Sequence, residues 1–314
     1  MKKVLLFGDP GIDDAIAIMY ALLNPKIDLV GVVTGYGNVD EKQATDNAAF
    51  ILHLGGRPDI PIIRGATGPF SGELVTYYPE IHGAEGLGPI RPPENFVANV
   101  YEFSKIHEII NQYRGELTIV DTGRTTSLAV SFILSGEEML QSVKEIYLMG
   151  GAFNYPGNVT AVAEANFHGD PIATDLVLEQ GRNVTIIPLN VTNRAIITPQ
   201  MVDTIAAYQT NPFTSLMKPI VDFYTNAYKE LIPGLNGSPM HDSVTLFALV
   251  NPQSFQYISR RVRVDTSELS RGRVMADFRA KPDPEPANTL DRIALNFDYQ
   301  AFVNDFMSIM TRRL

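Results

Sequence analysis

The stretch Val4-Leu5-Leu6-Phe7-Gly8-Asp9-Pro10-Gly11-Ile12-Asp13-Asp14 decides how this chain is read. Residues 4–7 read as a buried strand, Pro10-Gly11 as a turn, and residues 15–23 as an apolar helix. Asp9 then stands at the C-terminal edge of a strand. In open α/β sheets that edge is where ligands bind, and the helix beyond it starts with unpaired N–H groups. Either Asp13 or Asp14 alone reads as a helix cap or a partner of the helix dipole. Three carboxylates within six residues, however, repel one another unless a proton or a cation sits among them. From this segment by itself, capping and cation binding both stay open.

The same pattern recurs outward from this segment. Residues 27–34 read as a strand, 41–54 as a helix and 60–64 as a short strand. Residues 117–121, 145–149 and 183–188 are further apolar strands, with helices predicted from Thr126 through Leu134 and over 170–180. Strand and helix signals alternate without a charged or Ser/Gly-rich linker. This predicts an α/β fold, a single large domain over 1–314 with an open, mostly parallel, Rossmann-like sheet flanked by helices. Helical periodicity fills 199–231 and 241–249. Residues 257–265, 273–278 and 289–297 read as a small antiparallel C-terminal portion before a last helix over 299–312. Residues 65–98 form a long Gly/Pro-rich loop containing His82, too rich in Tyr, Phe and Leu to read as disordered and placed to act as a lid.

Composition narrows the function. With 314 residues, 45% of them hydrophobic and 19% charged, the chain can bury a large core. A net charge of −10 argues against nucleic-acid binding, which rests on Lys and Arg meeting phosphates, and points to a small molecule. The absence of cysteine excludes disulfides, thiol nucleophiles and thiolate-held metals. The apolar run after Met1-Lys2-Lys3 stops at Gly8-Asp9-Pro10, too short for a signal peptide, and no stretch approaches membrane-spanning length. A cytoplasmic protein without membrane or nucleic-acid partners is expected.

Polar side chains collect at the predicted strand ends: Asp9, Asp13 and Asp14, then Asn38, Thr126, and Asn158, Glu164 and Asn166. His241-Asp242 opens a late helix. Taken singly, Asn38 reads as a turn residue, Thr126 and Asp242 as helix-start residues, and His241 as an ordinary histidine. Their order and spacing resemble the inosine–uridine type of nucleoside hydrolase along nearly the whole chain. The resemblance is carried by Asp9-Pro10-Gly11-Ile12-Asp13-Asp14-Ala15, Gly157-Asn158-Val159-Thr160 to Ala163-Glu164-Ala165-Asn166, Met149-Gly150-Gly151, Pro188-Leu189-Asn190-Val191-Thr192 and His241-Asp242.

That resemblance implies a Ca²⁺ ion held by Asp9, Asp14, Asp242 and the backbone carbonyl of Thr126. An all-oxygen ligand set suits such a hard cation. It implies a ribonucleoside substrate, with Asp13, Asn158, Glu164, Asn166 and Asp242 on the ribose and Asn38 nearby. Asp9 would take the proton of the attacking water, and His241 would serve the departing base. His82 would contribute from the lid, and Tyr224 and Tyr228, four apart on one helix face, read as core residues or as a platform for the base. A homodimer or homotetramer is also implied.

Two departures stand out. The family motif usually begins with one more Asp, at the position that is Phe7 here. Gly123-Arg124-Thr125-Thr126-Ser127 replaces the usual Gly-Pro-Leu-Thr-Asn. They keep a second reading open, a catalytically weak relative that binds a nucleoside or serves in an assembly. A phosphatase using Asp9 as nucleophile would want a partner Asp two residues away, where positions 7 and 11 are Phe and Gly.

Overall fold

The computed structural model describes residues 1–93 and 98–313. The last stretch of the expected 65–98 lid loop, residues 94–97, lies outside the described residues.

In chain order the strands are β1 (Lys2–Gly8), β2 (Ile27–Thr34), β3 (Ile62–Arg64), β4 (Val100–Tyr101), β5 (Leu117–Asp121), β6 (Glu145–Met149), β7 (Val184–Ile187), β8 (Ile196–Ile197), β9 (Ser238–Pro239), β10 (Phe255–Arg260), β11 (Val262–Val264), β12 (Val274–Ala276) and β13 (Asp291–Phe297). Nine of them form one sheet in the order β10-β13-β7-β6-β5-β1-β2-β3-β4. All its pairings are parallel except β10 with β13. The chain leaves β1 towards β2 on one side and returns on its other side as β5. The order therefore reverses between these two strands, and the crevice beyond their C-terminal ends is the expected ligand site.

Both faces of the sheet are covered, which explains why its central strands are predominantly apolar. Side chains alternate along β1: Val4 and Leu6 join a core with the helices Ile12–Leu23, Thr214–Leu231, His241–Val250 and Tyr299–Met310. Leu5 and Phe7 join the opposite core, against the helices Lys105–Gln112, Thr126–Leu140 and Pro171–Gln180.

The strands that contain the site residues fall where sequence placed them. The C-terminal region is more integrated than expected. The predicted strand over 257–265 breaks at Arg261 into β10 and β11, and the Val262 N–H donates to Asp291 Oδ2 at 3.1 Å across the break. β10 pairs antiparallel with β13, which docks parallel on β7 and so extends the main sheet, while β11 and β12 form a separate hairpin. The predicted helical stretch 199–231 is two helices, Pro199–Tyr208 and Thr214–Leu231. They are divided where Gln209 takes a left-handed conformation (φ 46°) and Asn211 Oδ1 accepts from the Phe213 N–H. The helix Lys105–Gln112, absent from the sequence reading, buries Ile106, Ile109 and Ile110, an i, i+3, i+4 stripe.

Candidate active site

Asp9 follows β1 directly, and the helix Ile12–Leu23 starts three residues on, carrying Asp13 and Asp14 in its first turn. All three carboxylates are buried, as is Asp242 in the first turn of the helix His241–Val250. The opening turn is shaped by close approach. A Cβ on Gly11 would lie 2.4 Å from His82 Nδ1, and one on Gly37 would lie 1.7 Å from Asp9 Oδ2, so neither position accepts a larger residue without displacing the site.

Hydrogen bonds tie three strand ends together here. Asp9 Oδ2 accepts from the Asn38 N–H at 2.6 Å. Asp14 Oδ2 accepts from Asn38 Nδ2 at 3.0 Å, and Asp14 Oδ1 accepts from Thr122 Oγ1 at 2.9 Å. Asp9 Oδ1 and Asp13 Oδ1 are buried and have no hydrogen-bond partner among the described residues. Carboxylate oxygens of Asp13, Asp14 and Asp242 lie within 4.8 Å of one another. Burial, joined by the Asp14 charge, pushes Asp9 well above the usual carboxylate range. Burial raises Asp13 to about 6, and burial together with Asp13 raises Asp14 to about 7. Asp242 is pushed well up by burial and by Asp13, Asp14 and Asp9. A buried, mutually repelling set of oxygens with unpaired lone pairs is a fit for a cation, which would relieve the repulsion and supply the missing partner.

Of the expected metal set, Thr126 opens the helix Thr126–Leu140, where its hydroxyl donates to Asp170 Oδ2 at 2.7 Å and lies 2.9 Å from Tyr36 Oη. Thr122, which the sequence reading did not name, is brought to the carboxylates, because it directly follows β5 as Asp9 follows β1. That position at the strand end is the signal that could have found it. Its hydroxyl holds Asp14, and its carbonyl accepts from Asn166 Nδ2 at 2.8 Å.

Above the carboxylates opens a cavity of about 580 Å³ lined by Asp13, Asn38, His82, Thr122, Asn158, Glu164, Asn166, Tyr224, Tyr228, His241 and Asp242, among others. Asp9, Asp14 and Thr126 are outside that lining. On one side Asn166 Nδ2 bridges the Thr122 and Met149 carbonyls, joining the ends of β5 and β6. Glu164 caps the short helix Ala165–Gly169: its oxygens accept from the backbone N–H groups of Asn166, Phe167 and Gly151. Burial raises its pKa, and those three N–H groups oppose the rise. Asn158 Oδ1 accepts from the Ala165 N–H.

On the other side the predicted base end is a hydrogen-bonded chain. His241 Nδ1 is 2.8 Å from Thr192 Oγ1, and His241 Nε2 is 2.9 Å from Tyr228 Oη. The Tyr224 and Tyr228 rings meet edge to face at 4.9 Å, and Tyr224 hydrogen-bonds in turn to Asp13. Burial lowers His241 to about 4, so the imidazole is neutral at pH 7. His82, on the expected lid loop, is buried. Its Nδ1 accepts from the Ile12 N–H at 3.1 Å, which leaves the ring proton on Nε2, and burial followed by the nearby His241 lowers it to about 3.

Of the two departures, Phe7 is buried in the far core. Arg124 turns inward: its guanidinium carbon lies 5.1 Å from the centre of the Tyr36 ring, its Nη2 reaches the Thr76 carbonyl at 3.5 Å, and its charge opposes the rise at Asp9.

Carboxylates, amides and hydroxyls gathered at the switch point around a cavity of ligand size define an α/β enzyme for a small, hydroxyl-rich molecule. Comparison narrows this class. The description "inosine-uridine preferring nucleoside hydrolase" matches residues 4–304. The inosine-uridine preferring nucleoside hydrolase of Crithidia fasciculata is 33% identical over 308 residues, covering 96% of this chain and 95% of that protein. Uridine nucleosidase 1 of Arabidopsis thaliana is 32% identical over 278 residues, 88% and 82% of the two chains. The solved structure of the purine-preferring ribonucleoside hydrolase from Gardnerella vaginalis superposes with a TM-score of 0.91 at 31% identity, covering 99% of this chain and 98% of that one. The chain belongs to the inosine–uridine preferring nucleoside hydrolase family and is an N-ribohydrolase.

Proposed function

We propose that the protein hydrolyses the N-glycosidic bond of ribonucleosides to free base and ribose, with calcium held at the switch point. The observation that carries this reading is the convergence of Asp13, Asp14 and Asp242 beside the unpaired oxygens of Asp9 and Asp13. The donors are all oxygen, the chemistry of a hard cation, and calcium accepts a larger and less regular set of such oxygens than magnesium does. Asp9, Asp14, Asp242 and the Thr122 carbonyl would hold the ion, Thr122 taking the part first expected of Thr126. When bound, calcium supplies positive charge that favours the ionised carboxylates, acidifies water and grips sugar hydroxyls.

Asp13, Asn158, Glu164, Asn166 and Asp242 hold the ribose, and Asn38 keeps Asp9 and Asp14 in place from behind. Asp9 takes the proton as water attacks the anomeric carbon. Positive charge develops on the sugar as the bond breaks, and the surrounding carboxylates stabilise it. The departing base needs a proton or a strong hydrogen bond. A neutral His241 supports that hydrogen bond by holding the Tyr228 hydroxyl it is bonded to, with His82 Nε2–H as a second donor. Groups that pair with the 2′-hydroxyl would be left unpaired by a deoxyribose, a discrimination of about 10⁴. We also read the protein as a cytoplasmic homodimer or homotetramer, which sedimentation of the purified chain tests.

The deciding experiment measures ribose release from inosine, adenosine, guanosine, uridine, cytidine and 2′-deoxyinosine, with calcium and after chelation. Calcium-dependent release from ribonucleosides alone supports the reading and ranks the bases. A folded, calcium-loaded protein that releases nothing would turn the reading to the nucleoside-binding relative.

A further inference from the structure

Asp121 ends β5 in register with Phe7 on β1 and with Leu148 on β6. Register partners in a parallel sheet point to the same face, so its carboxyl stands between two members of the far apolar core. It is 1% exposed. Oδ1 accepts from the Gly123 N–H at 3.1 Å, and Oδ2 has no partner among the described residues. A carboxyl buried this way is costly, and an apolar residue would fill the same space without that cost.

What the carboxyl does locally is bend the chain from Asp121 to Gly123 into a tight turn. Thr122 at its apex donates its N–H to the Phe7 carbonyl at 2.9 Å and its hydroxyl to Asp14, and presents its own carbonyl to Asn166. Gly123 closes on Asp9 so tightly that a Cβ there would lie 2.8 Å from Asp9 Oδ1. The turn thus fixes three of the groups that the calcium reading uses: the Thr122 carbonyl, Asp14 and Asp9. Phe7, its register neighbour, carries no polar group where the family motif usually has an Asp.

We propose that Asp121 is the positioning carboxyl of the metal site, supplying from β5 the support that position 7 on β1 lacks. The proposal rests on the calcium reading above. It is tested by calorimetric calcium titration of the whole protein, with melting curves recorded without calcium. Wild type is titrated first: no calcium binding there would end the calcium reading itself, before Asp121 is in question. Given binding, Asp121→Ala should weaken calcium roughly 10- to 100-fold, the usual cost of losing a group that supports metal ligands. Asp121→Asn keeps an oxygen for the Gly123 N–H and should stay within about threefold of wild type. Phe7→Asp combined with Asp121→Ala should recover about tenfold of the loss.

Calcium affinity of a folded Asp121→Ala equal to wild type would overturn the proposal. So would an Asp121→Asn protein as weakened as the alanine variant. A double variant with no recovery would overturn the exchange between strands. Should Asp121→Ala fail to melt cooperatively, Asp121→Leu, which suits the apolar surroundings but offers the Gly123 N–H no acceptor, takes its place: weakened calcium binding supports the turn, and native affinity overturns it.

Discussion

In the carboxylate floor, where Asp13 lines the cavity and Asp9 lies behind the lining, each keeps a buried oxygen unpaired among the described residues, whereas on the wall above both ring nitrogens of His241 are hydrogen-bonded. The floor concentrates like charges that repel. The wall concentrates neutral groups that satisfy one another in a line from Thr192 through His241 and Tyr228 to Tyr224. On the proposed reading the difference separates two tasks: a surface that would attract positive charge is left electrostatically incomplete, and a surface that would support the departing base is hydrogen-bonded at both ring nitrogens of its histidine.

Removing a floor carboxylate should have the largest effect. Asp14→Ala and Asp9→Ala should each lower turnover by about 10³-fold or more while the protein still melts cooperatively, the first by losing the cation and the second by losing the base. Normal ribose release by either variant would break the floor half of the comparison.

Damage to the wall should depend on the leaving group. His241→Ala should slow release of a natural base by about 10²-fold and spare p-nitrophenyl riboside, whose leaving group needs no proton. Equal losses on both substrates would remove His241 from the proton path. Thr192→Val leaves the imidazole in place and only loosens its orientation, so a loss of about tenfold or less is expected, again confined to natural bases. A loss as large as that of His241→Ala would mean that Thr192 does more than orient the ring.

Asp291 sharpens the contrast because it is a buried carboxyl without a converging cluster. Burial raises it to about 7, and its Oδ2 accepts from the Val262 N–H. The folded state keeps this proton up to about pH 7, while the unfolded chain releases it near 3.8, so the associated stability is full below about pH 4 and is lost as pH rises through 7. Asp291→Asn should leave turnover unchanged, leave stability at pH 4 unchanged, and raise stability above pH 7 by at most about 4 kcal/mol. Melting curves across that range check this. An unaltered slope would show that Asp291 does not titrate with folding.

Much of the centre of the molecule was legible in sequence because β1, β2, β5 and β6 are mostly buried and predominantly apolar. The edges were not. The break at Arg261 depends on Asp291, thirty residues away in the chain, and the docking of β13 on β7 leaves no local periodicity to read. At the site, the sequence pattern pointed to Asp9, Asp13, Asp14, Asn158, Glu164, Asn166 and His241-Asp242, and the fold brings Asp13, Asn158, Glu164, Asn166, His241 and Asp242 to one cavity. It did not name Thr122, since only the register of β5 beside β1 tells that this threonine faces Asp14.

By itself, then, the chain's order of apolar runs and acidic turns determined an α/β sheet with carboxylates at its C-terminal edge, because strand burial and turn chemistry are local properties. Which oxygens converge, which threonine joins them, that His241 is neutral and bonded at both nitrogens, and that Asp121 stands beside Phe7 were decided only by tertiary structure. Those facts are distances between residues far apart in the chain, set when separate strands and helices pack at one switch point.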